Sequence, residues 1–442
     1  MARPEETYAL YGHEEDYPEL QPDAMFRRLS HAISFRTVDT VRDAGEFSKL
    51  HEHIRSSYPR LMEAASFELF GNNVLITLEG TDASLEPLIM IAHQDVVPAD
   101  DDGWTHPPFE GCDDDEYIWG RGSLDIKGML FAELEAVEHL LAASGRPART
   151  IVLAFGDDEE TVSAGADLLA SVLASRGVHD ALLLDEGTTS HMDGAAFGAP
   201  GIRVQTLCLS QKGFLTLRLT AKGSGGHASN PFGGSSLEKL AEAVVAVRSS
   251  MPGPRFSPLL AQAVERLGLE ADDTLIASIA SCREGFPFAC ETMAVTQVEG
   301  SSPASNALPE DAAAIINFRL LPDTDIDMFI SNVEEALPVG VGLEVARLTP
   351  SARQDSPDGP LYGGIVESFG RYYPGITCIP LFMVGGCDAI RYEAVTAQSI
   401  RVLPFVAPPD DEARIHGIDE RISKRSYLQS VRALIRLIGN IC

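Results

Sequence analysis

Two adjacent carboxylates, Glu159 and Glu160, follow an apolar run and offer the chemistry of a metal ligand beside a general base. His93 and Asp125 lie upstream, and His416 near the carboxyl end stands beside a turn-forming glycine. Imidazole nitrogen and carboxylate oxygen are the ligands that hydrolytic zinc ions prefer, and one carboxylate can be shared between two ions that lie about 3.5–4 Å apart. The residue types therefore predict a metal site with its own general base.

Three predicted strands bring such groups to one place. Residues 88–92, 150–155 and 181–184 are short, continuous apolar runs, a pattern typical of strands that are buried on both faces. The first ends at His93, the second ends shortly before the paired glutamates, and the third ends at Asp185. In open α/β sheets, ligands bind at the carboxyl ends of the strands. We therefore expect these side chains to meet at one edge of a sheet.

Asp125 stands at the start of a predicted helix over residues 126–141 and is the natural shared carboxylate. Two Zn²⁺ ions and three carboxylates leave about one positive charge, which holds a hydroxide formed from water whose pKa drops to about 7. A fourth carboxylate ligand would cancel that charge, so Glu159 is the better candidate for the base that takes the water proton. Asp95, two residues after His93, can hydrogen-bond the imidazole and fix its tautomer.

At this point the chain resembles the M20 metallopeptidases, a family that includes aminoacylase, glutamate carboxypeptidase and carboxypeptidase S. The resemblance covers nearly the whole chain and rests on a series of short motifs in the family's order. The motifs are His93-Gln-Asp95-Val-Val-Pro98, Trp104 with Pro107-Pro-Phe109, Gly120-Arg-Gly-Ser-Leu-Asp125-Ile-Lys-Gly128, Asp158-Glu-Glu160, Leu184-Asp-Glu-Gly187, Gly226-His-Ala-Ser229, Asn306-Ala-Leu-Pro309 and His416.

The resemblance implies a role for each matching residue. Two zinc ions per subunit, replaceable by Co²⁺ or Mn²⁺, would be bound by His93, Asp125, Glu160, Asp185 and His416. Glu159 would be the general base, and Asp95 would orient His93. His227 would polarise the scissile carbonyl, often in the site of a partner subunit, and Asn306 would help to bind the substrate.

Two alternatives stay open at this stage. Some relatives use the residue that matches Glu186 as the ligand, whereas the position of Asp185 directly after the strand favours the aspartate. The family's Gly-Thr-Asp-x-Arg stretch supplies an arginine for the substrate carboxylate. Here the stretch reads Gly385-Gly-Cys-Asp-Ala-Ile-Arg391, with Cys for Thr and one extra residue. Arg391 is thus either a substrate clamp or the partner of Asp388 in a surface ion pair.

The motif forms resemble most the branch that contains carboxypeptidase S and the N-acyl-amino-acid hydrolases. We expect an enzyme that cleaves a C-terminal peptide bond or an N-acyl bond and releases a free amino acid, with a small peptide or an N-acyl amino acid as substrate. A dipeptidase, an aminoacylase of narrow specificity, and a metal-binding interaction protein that has lost catalysis are the alternatives.

The order of the predicted elements gives the fold class: α/β, with an inserted α+β domain. Strands and helices alternate up to residue 210, and the order β-α-β-β-α-β of a ferredoxin-like unit follows. We predict a mixed-sheet catalytic domain formed by residues 1–210 and 351–442. Residues 211–350 would form an inserted ferredoxin-like lid, which offers a surface for a homodimer. A further helical stretch, residues 257–282, interrupts this lid.

Composition excludes several other classes of protein. The 442 residues have a net charge of −31, which opposes binding to nucleic acid and to anionic membranes. No apolar run is as long as a membrane span, and residues 1–6 lack the apolar core of a signal peptide. The seven cysteines are scattered and form no Cys-x-x-Cys pair, so they predict neither a disulfide framework nor a thiolate zinc site. We expect a cytoplasmic enzyme.

Overall fold

A computed structural model describes residues 11–38, 44–188 and 192–442. The amino-terminal residues 1–6, which are predicted above to lack the apolar core of a signal peptide, lie outside this part. The α-helices of the described part are α1 Pro22–Ile33, α2 Ala44–Ser57, α3 Pro59–Ala64, α4 Lys127–Ala143, α5 Ala164–Ser175, α6 Ser236–Ser249, α7 Pro258–Arg266, α8 Asp273–Ser281, α9 Phe286–Ala289, α10 Ile326–Ala336, α11 Pro360–Tyr372, α12 Pro409–Glu412 and α13 Lys424–Ile441. The strands are β1 Ser66–Phe70, β2 Asn73–Leu78, β3 Leu88–His93, β4 Cys112–Asp113, β5 Tyr117–Trp119, β6 Ile151–Gly156, β7 Ala181–Asp185, β8 Met192–Asp193, β9 Arg203–Gln211, β10 Gly213–Lys222, β11 Thr292–Glu299, β12 Asp311–Leu320, β13 Val341–Thr349, β14 Ile376–Met383, β15 Thr396–Arg401 and β16 Arg421–Ser423.

The large sheet is mixed, as the sequence predicts. Its order is β1-β2-β6-β3-β7-β15-β9-β14, with β8 paired to β9. Strand β3 pairs in parallel with both β6 and β7, and β15 pairs in parallel with β7. The pairs β1–β2 and β2–β6 are antiparallel. The three strands that the sequence analysis placed together are therefore neighbours in the middle of the sheet.

The two faces of this sheet explain the continuous apolar runs. In β3, Leu88 and Met90 pack into the core beneath α4 and α13, whereas Ile89 and Ile91 pack into a second core beneath α5. Because successive side chains of a strand point to opposite faces, a strand covered by helices on both sides needs apolar residues at every position.

The second sheet lies within the stretch where the sequence predicts an insertion. Its antiparallel order is β11-β12-β10-β13, and helices α6 and α10 cover one face. Strand β10 alternates, with Leu215, Leu217 and Leu219 buried against those helices. The element order is the predicted β-α-β-β-α-β. The domain boundaries at residues 210 and 350 stay a prediction.

Helices α7 and α8 differ from the expectation that they belong to the lid. Leu260, Val264 and Ile279 are buried in the same core as α4 and α13 of the large sheet. The apolar stripe of α7 is therefore satisfied by the large sheet and not by the small one. Within the described part of the chain, no helix is long and apolar enough to span a membrane.

Candidate metal centre and active site

The ends of three neighbouring strands position the site. In the parallel register between β3 and β6, His93 pairs with Gly156, and the loop after Gly156 carries the two glutamates. Strand β7 runs beside β3 and ends at Asp185. The carboxyl ends of these strands thus form one edge of the sheet, as expected for a ligand site in an open α/β fold.

Asp125 lies at the centre of the site and faces two imidazoles. Its Oδ1 is 3.1 Å from Nε2 of His93, and its Oδ2 is 3.0 Å from Nε2 of His416. His416 comes from a loop near the carboxyl end, so residues almost 300 positions apart meet on one carboxylate. A carboxylate with each oxygen directed at a different imidazole has the arrangement of a bridging ligand.

A second carboxylate completes each half of the site. Nε2 of His93 lies 3.8 Å from Oε1 of Glu186, and Nε2 of His416 lies 3.1 Å from Oε1 of Glu160. In each of the groups His93–Asp125–Glu186 and Asp125–Glu160–His416, the ligand atoms lie within 4.8 Å of one another. Each group contains one nitrogen and two carboxylate oxygens, a donor set that zinc accepts.

The preference for Asp185 over Glu186 is not supported by the geometry. One oxygen of Asp185 accepts the backbone N–H of Glu186 at 2.7 Å, and the other accepts the backbone N–H of Ala389 at 2.8 Å. Both oxygens thus accept hydrogen bonds within the protein, and Asp185 belongs to neither ligand group of the described residues. The next side chain along the extended backbone, that of Glu186, faces the site because successive side chains alternate in direction.

Asp95 contacts the end of strand β3 and the loop that follows strand β6. Nδ1 of His93 lies 2.9 Å from the backbone carbonyl oxygen of Asp95 and 3.4 Å from its Oδ1. The Asp95 carboxylate also accepts the backbone N–H groups of Glu159 at 3.2 Å and Glu160 at 3.1 Å. Asp95 therefore fixes the imidazole and the loop of the paired glutamates together.

The ionisable groups of the site have strongly shifted pKa values. Hydrogen bonds to Asp125 and Glu160 raise the pKa of His416 to about 10. Burial alone would raise the pKa of Asp125, but hydrogen bonds from His416 and His93 hold it well below its usual range. Burial raises the pKa of Glu159 to about 9, and divalent cations beside it would act in the opposite direction. Such opposed shifts in one place are typical of a functional site.

Glu420 is a residue of the site that the sequence analysis did not identify. This carboxylate has no solvent exposure, and its Oε1 accepts the backbone N–H groups of Gly122 at 3.1 Å, Leu124 at 2.8 Å and Asp125 at 3.1 Å. Its Oε2 accepts a hydrogen bond from Arg121 at 2.6 Å. Glu420 therefore ties the loop of the shared carboxylate to the segment that carries His416.

A small sheet supports the same connection. Strand β16 pairs with β5, so that Arg421 lies opposite Trp119, and the N–H of Gly120 donates to the carbonyl of Glu420 at 2.8 Å. At least 300 residues separate these partners in the sequence, which contains no local signal for the contact.

His227 and Asn306 lie on adjoining segments of the chain. His227 pairs with Ala307 in an isolated bridge, and the N–H of Ala228 donates to the carbonyl of Asn306 at 2.7 Å. Nδ1 of His227 lies 2.7 Å from the hydroxyl of Ser229, and the side chain is exposed. Among the described residues, no hydrogen bond or ion pair joins His227 or Asn306 to the metal-ligand groups.

Arg391 lines a cavity that also contains Glu159. Its Nη1 lies 3.5 Å from Oδ2 of Asp167, and Asp388 is buried. The alternative of a surface ion pair between Asp388 and Arg391 is therefore wrong. The position of Arg391 beside Glu159 is compatible with contact to a substrate, and its role as a clamp stays a prediction.

The fold and this site define a metal-dependent hydrolase of the metallopeptidase and amidohydrolase class. Residues 89–440 match the model of Peptidase family M20/M25/M40, and the chain belongs to that family.

Matches to similar proteins cover nearly the full length of this chain. The probable carboxypeptidase S-like 2 of Dictyostelium discoideum is 28% identical, and the match covers 97% of this chain and 87% of that protein. The N-fatty-acyl-amino acid synthase/hydrolase PM20D1 of Bos taurus is 30% identical over 94% of this chain and 88% of that protein. Among solved structures, an M20 family metallo-carboxypeptidase, Sso-CP2 from Sulfolobus solfataricus, has the same fold. Its TM-score is 0.68 at 16% identity, with 94% of this chain and 99% of that chain covered.

Proposed function

We propose that the protein is a two-zinc hydrolase that cleaves a C-terminal peptide bond or an N-acyl amide bond and releases a free amino acid. The observation that carries the proposal is Asp125, whose two oxygens face separate imidazoles at 3.1 and 3.0 Å. The names of the similar proteins, carboxypeptidase S-like and N-fatty-acyl-amino acid synthase/hydrolase, support this class of reaction.

The side chains present fit two divalent cations. Four ligands in a tetrahedron at zinc bond lengths of about 2.0–2.1 Å lie about 3.3 Å from one another. The nitrogen–oxygen distances in the two groups are 3.0–3.8 Å. One cation would be held by His93, Asp125 and Glu186, and the other by His416, Asp125 and Glu160. Co²⁺ and Mn²⁺ accept the same donors.

Such cations would supply Lewis-acid chemistry, lowering the pKa of a water to about 7 and polarising the scissile carbonyl. Glu159 would take a proton from the attacking water and deliver it to the leaving amine. The backbone N–H of Glu159 donates to the carboxylate of Asp95, and the carbonyl of Asp95 contacts His93. Asp95 therefore holds the proposed base Glu159 and the proposed ligand His93 in a fixed relative position.

His227 stabilises the charge that develops on the carbonyl oxygen, and Asn306 contacts the substrate beside it. Both lie on adjoining loops of the lid, and neither contacts the metal-ligand groups of the described residues. We propose that they act in a homodimer, each lid serving the other subunit. The edges of the lid sheet support this arrangement, because Val298 on β11 and Val345 on β13 are 63% and 42% exposed and edge strands pair readily with a second copy.

The test is hydrolysis of N-acyl amino acids and blocked dipeptides by the zinc-loaded protein, with a chelator control. The expected result is release of a free amino acid that stops with the chelator and returns with added zinc. Absence of hydrolysis across the panel, in protein that contains two zinc ions per chain, would refute the proposed reaction.

A further inference from the structure

Within residues 192–442, all of which the structure describes, the chain passes between the large sheet and the lid four times. Strand β9 continues into β10, and β13 leads back to α11. Between α6 and β11 of the lid, the chain also returns to the large sheet as α7, α8 and α9. An inserted domain needs only two crossings, and a few residues in such crossings can serve as a hinge. Four crossings restrict the motion of the lid further.

The strap, defined here as residues 250–291, is anchored in the core of the large sheet. Leu260 is buried in that core. The ring centroid of Phe288 lies 5.5 Å from that of Phe197 and 5.7 Å from that of Phe382 on β14. Exposing such side chains to water costs free energy, which holds the segment in place. The strap therefore belongs to the large sheet, although both of its ends continue into the lid.

Lys212 ties the first crossing to the strap. It stands between β9 and β10 and is 2% exposed. Its ammonium donates to the carbonyls of Pro287 at 2.8 Å and Cys290 at 2.7 Å, and its backbone N–H donates to the carbonyl of Met383 at the end of β14 at 2.9 Å. A buried ammonium needs such acceptors in place of water. Lys212 is thus bonded to the strap and to the large sheet at the point where the lid begins.

The two ends of the strap are bonded to each other and to the lid. The N–H of Arg255 donates to the carbonyl of Ala289 at 2.9 Å. The guanidinium of Arg255 donates to Glu291 at 2.8 Å and to Asp323, in the turn after β12, at 2.9 Å. Glu291 is 3% exposed and also accepts the hydroxyl of Thr324 at 2.7 Å. The second and third crossings therefore form one bonded unit with this turn.

The fourth crossing is bonded to the first. The N–H of Ala352 donates to the carbonyl of Gln211 at 3.2 Å, and the hydroxyl of Ser210 donates to the carbonyl of Ala352 at 2.7 Å. A Cβ atom at Gly213 would lie 3.2 Å from the backbone nitrogen of Ser351, so the two segments are in close contact. Because each crossing is bonded to another, rotation of the lid would have to break these bonds together.

We propose that Lys212 is a positioning residue that holds the lid in one orientation relative to the large sheet. Lys212 lines the cavity of about 220 Å³ that contains Glu159 on one side and Phe214 of the lid on the other. A fixed lid keeps the width of this cavity constant, so a substrate meets a site that is already arranged for it. The fixed orientation does not depend on the proposed reaction, whereas its effect on the rate rests on that reaction.

The first test measures the distance between the lid and the large sheet in solution. Spin labels are placed at Ala174 on α5 and Glu335 on α10, two exposed positions, by chemistry that does not use thiols, because the chain has seven cysteines. Pulsed electron–electron resonance on zinc-loaded protein, diluted with unlabelled chains, should give one narrow distance distribution. Two populations, before or after addition of N-acetyl-leucine, would overturn the inference.

The second test assigns the orientation to Lys212. Lys212→Met removes the ammonium and keeps the apolar stem, so the carbonyls of Pro287 and Cys290 lose their donor, and the distance distribution should widen. Lys239→Met is the matched control, because Lys239 donates to the carbonyl of Lys222 within the lid at 3.0 Å. A distribution as narrow in Lys212→Met as in the control would refute the role of Lys212.

A second variant keeps the test open if Lys212→Met does not fold. Arg255→Gln breaks the bonds of the strap to Glu291 and Asp323, and the same widening is expected. A narrow distribution in Arg255→Gln would show that the bonded crossings do not set the orientation of the lid, and the inference would fail.

A kinetic measurement connects the orientation with the reaction. Lys212→Met should keep its two zinc ions, because neither of the two metal-ligand groups around Asp125 includes a residue of the lid. Its kcat/KM for N-acetyl-leucine should fall by about 10–100-fold, since a displacement of about 1 Å can cost 10²-fold. An unchanged kcat/KM beside a widened distribution would refute the positioning role. If the unaltered protein hydrolyses no amide, the proposed function fails, whereas the distance distribution still decides whether the lid is fixed.

Discussion

The carboxylate of Glu420 accepts the backbone N–H of Asp125 at 3.1 Å, although 295 residues separate the two in the sequence. Asp125 is the proposed shared ligand of both cations, and His416, the proposed ligand on the second, lies four residues before Glu420. The contact therefore couples the two halves of the metal centre through one buried carboxylate.

Replacing Glu420 should weaken the metal centre. In Glu420→Gln, one amide oxygen can still accept the backbone N–H groups, but the amide N–H₂ meets the guanidinium of Arg121, which offers only donors. We expect cation affinity and turnover to fall by about 10–100-fold. Calorimetric titration with Zn²⁺ measures the affinity. Asp410→Asn removes the same charge from an exposed position nearby, and equal affinities in the two variants would contradict the coupling.

Glu159→Gln should keep the cations and lose the reaction. Glu159 belongs to neither metal-ligand group of the described residues, so cation content should match that of the unaltered protein. Because a general base contributes about 10²–10⁴-fold, kcat should fall by that factor. Metal analysis and rate are measured on the same sample, with Glu63→Gln on the exposed side of α3 as control. A near-normal rate would refute the assignment of the base.

Stability should depend on a buried ion pair outside the site. Arg28 donates two hydrogen bonds of 2.6 Å to Glu135, which is 5% exposed, and the hydroxyl of Tyr58 donates a third at 2.9 Å. Burial raises the pKa of Glu135 even with this arginine beside it. In Arg28→Met the carboxylate is buried without a counter-ion, which costs about 3–5 kcal/mol when it is ionised.

The sign of the pH dependence follows from the raised pKa. The folded variant holds the proton of Glu135 to a higher pH than the unfolded chain, where a glutamate titrates near 4.3. The stability difference between Arg28→Met and the unaltered protein should therefore be small near pH 4 and widen as the pH rises. Urea unfolding at pH 4.5 and pH 8 measures this. Arg436→Met, which breaks an exposed pair with Glu367, should cost about 0–1 kcal/mol, and a similar loss in both variants would contradict the argument.

The sequence predicted the parts of the site that depend on local pattern. An apolar run that ends at a polar residue indicates where a strand ends. The ends of β3 and β6 could therefore be predicted, and with them the proximity of His93 to the loop that carries Glu159. The turn at Asp185 could not be predicted, because the partner that occupies its second oxygen is the N–H of Ala389, 204 residues away. The same limit applies to Glu420, whose partner Asp125 lies 295 residues away in the sequence.

The position of His227 predicts that two inactive variants restore activity when they are mixed. If each lid serves the partner's site, a dimer of one His227→Ala chain and one Glu159→Gln chain contains one site with both groups intact. Equal mixing makes half of the dimers mixed, so about a quarter of the normal rate should return. The variants are co-expressed with different tags, and the mixed dimers are isolated through both tags. These isolated dimers should have about half of the normal rate, because one of their two sites is complete. If His227 acts within its own subunit after closure of the lid, every site in the mixed dimer lacks one group, and no activity should return.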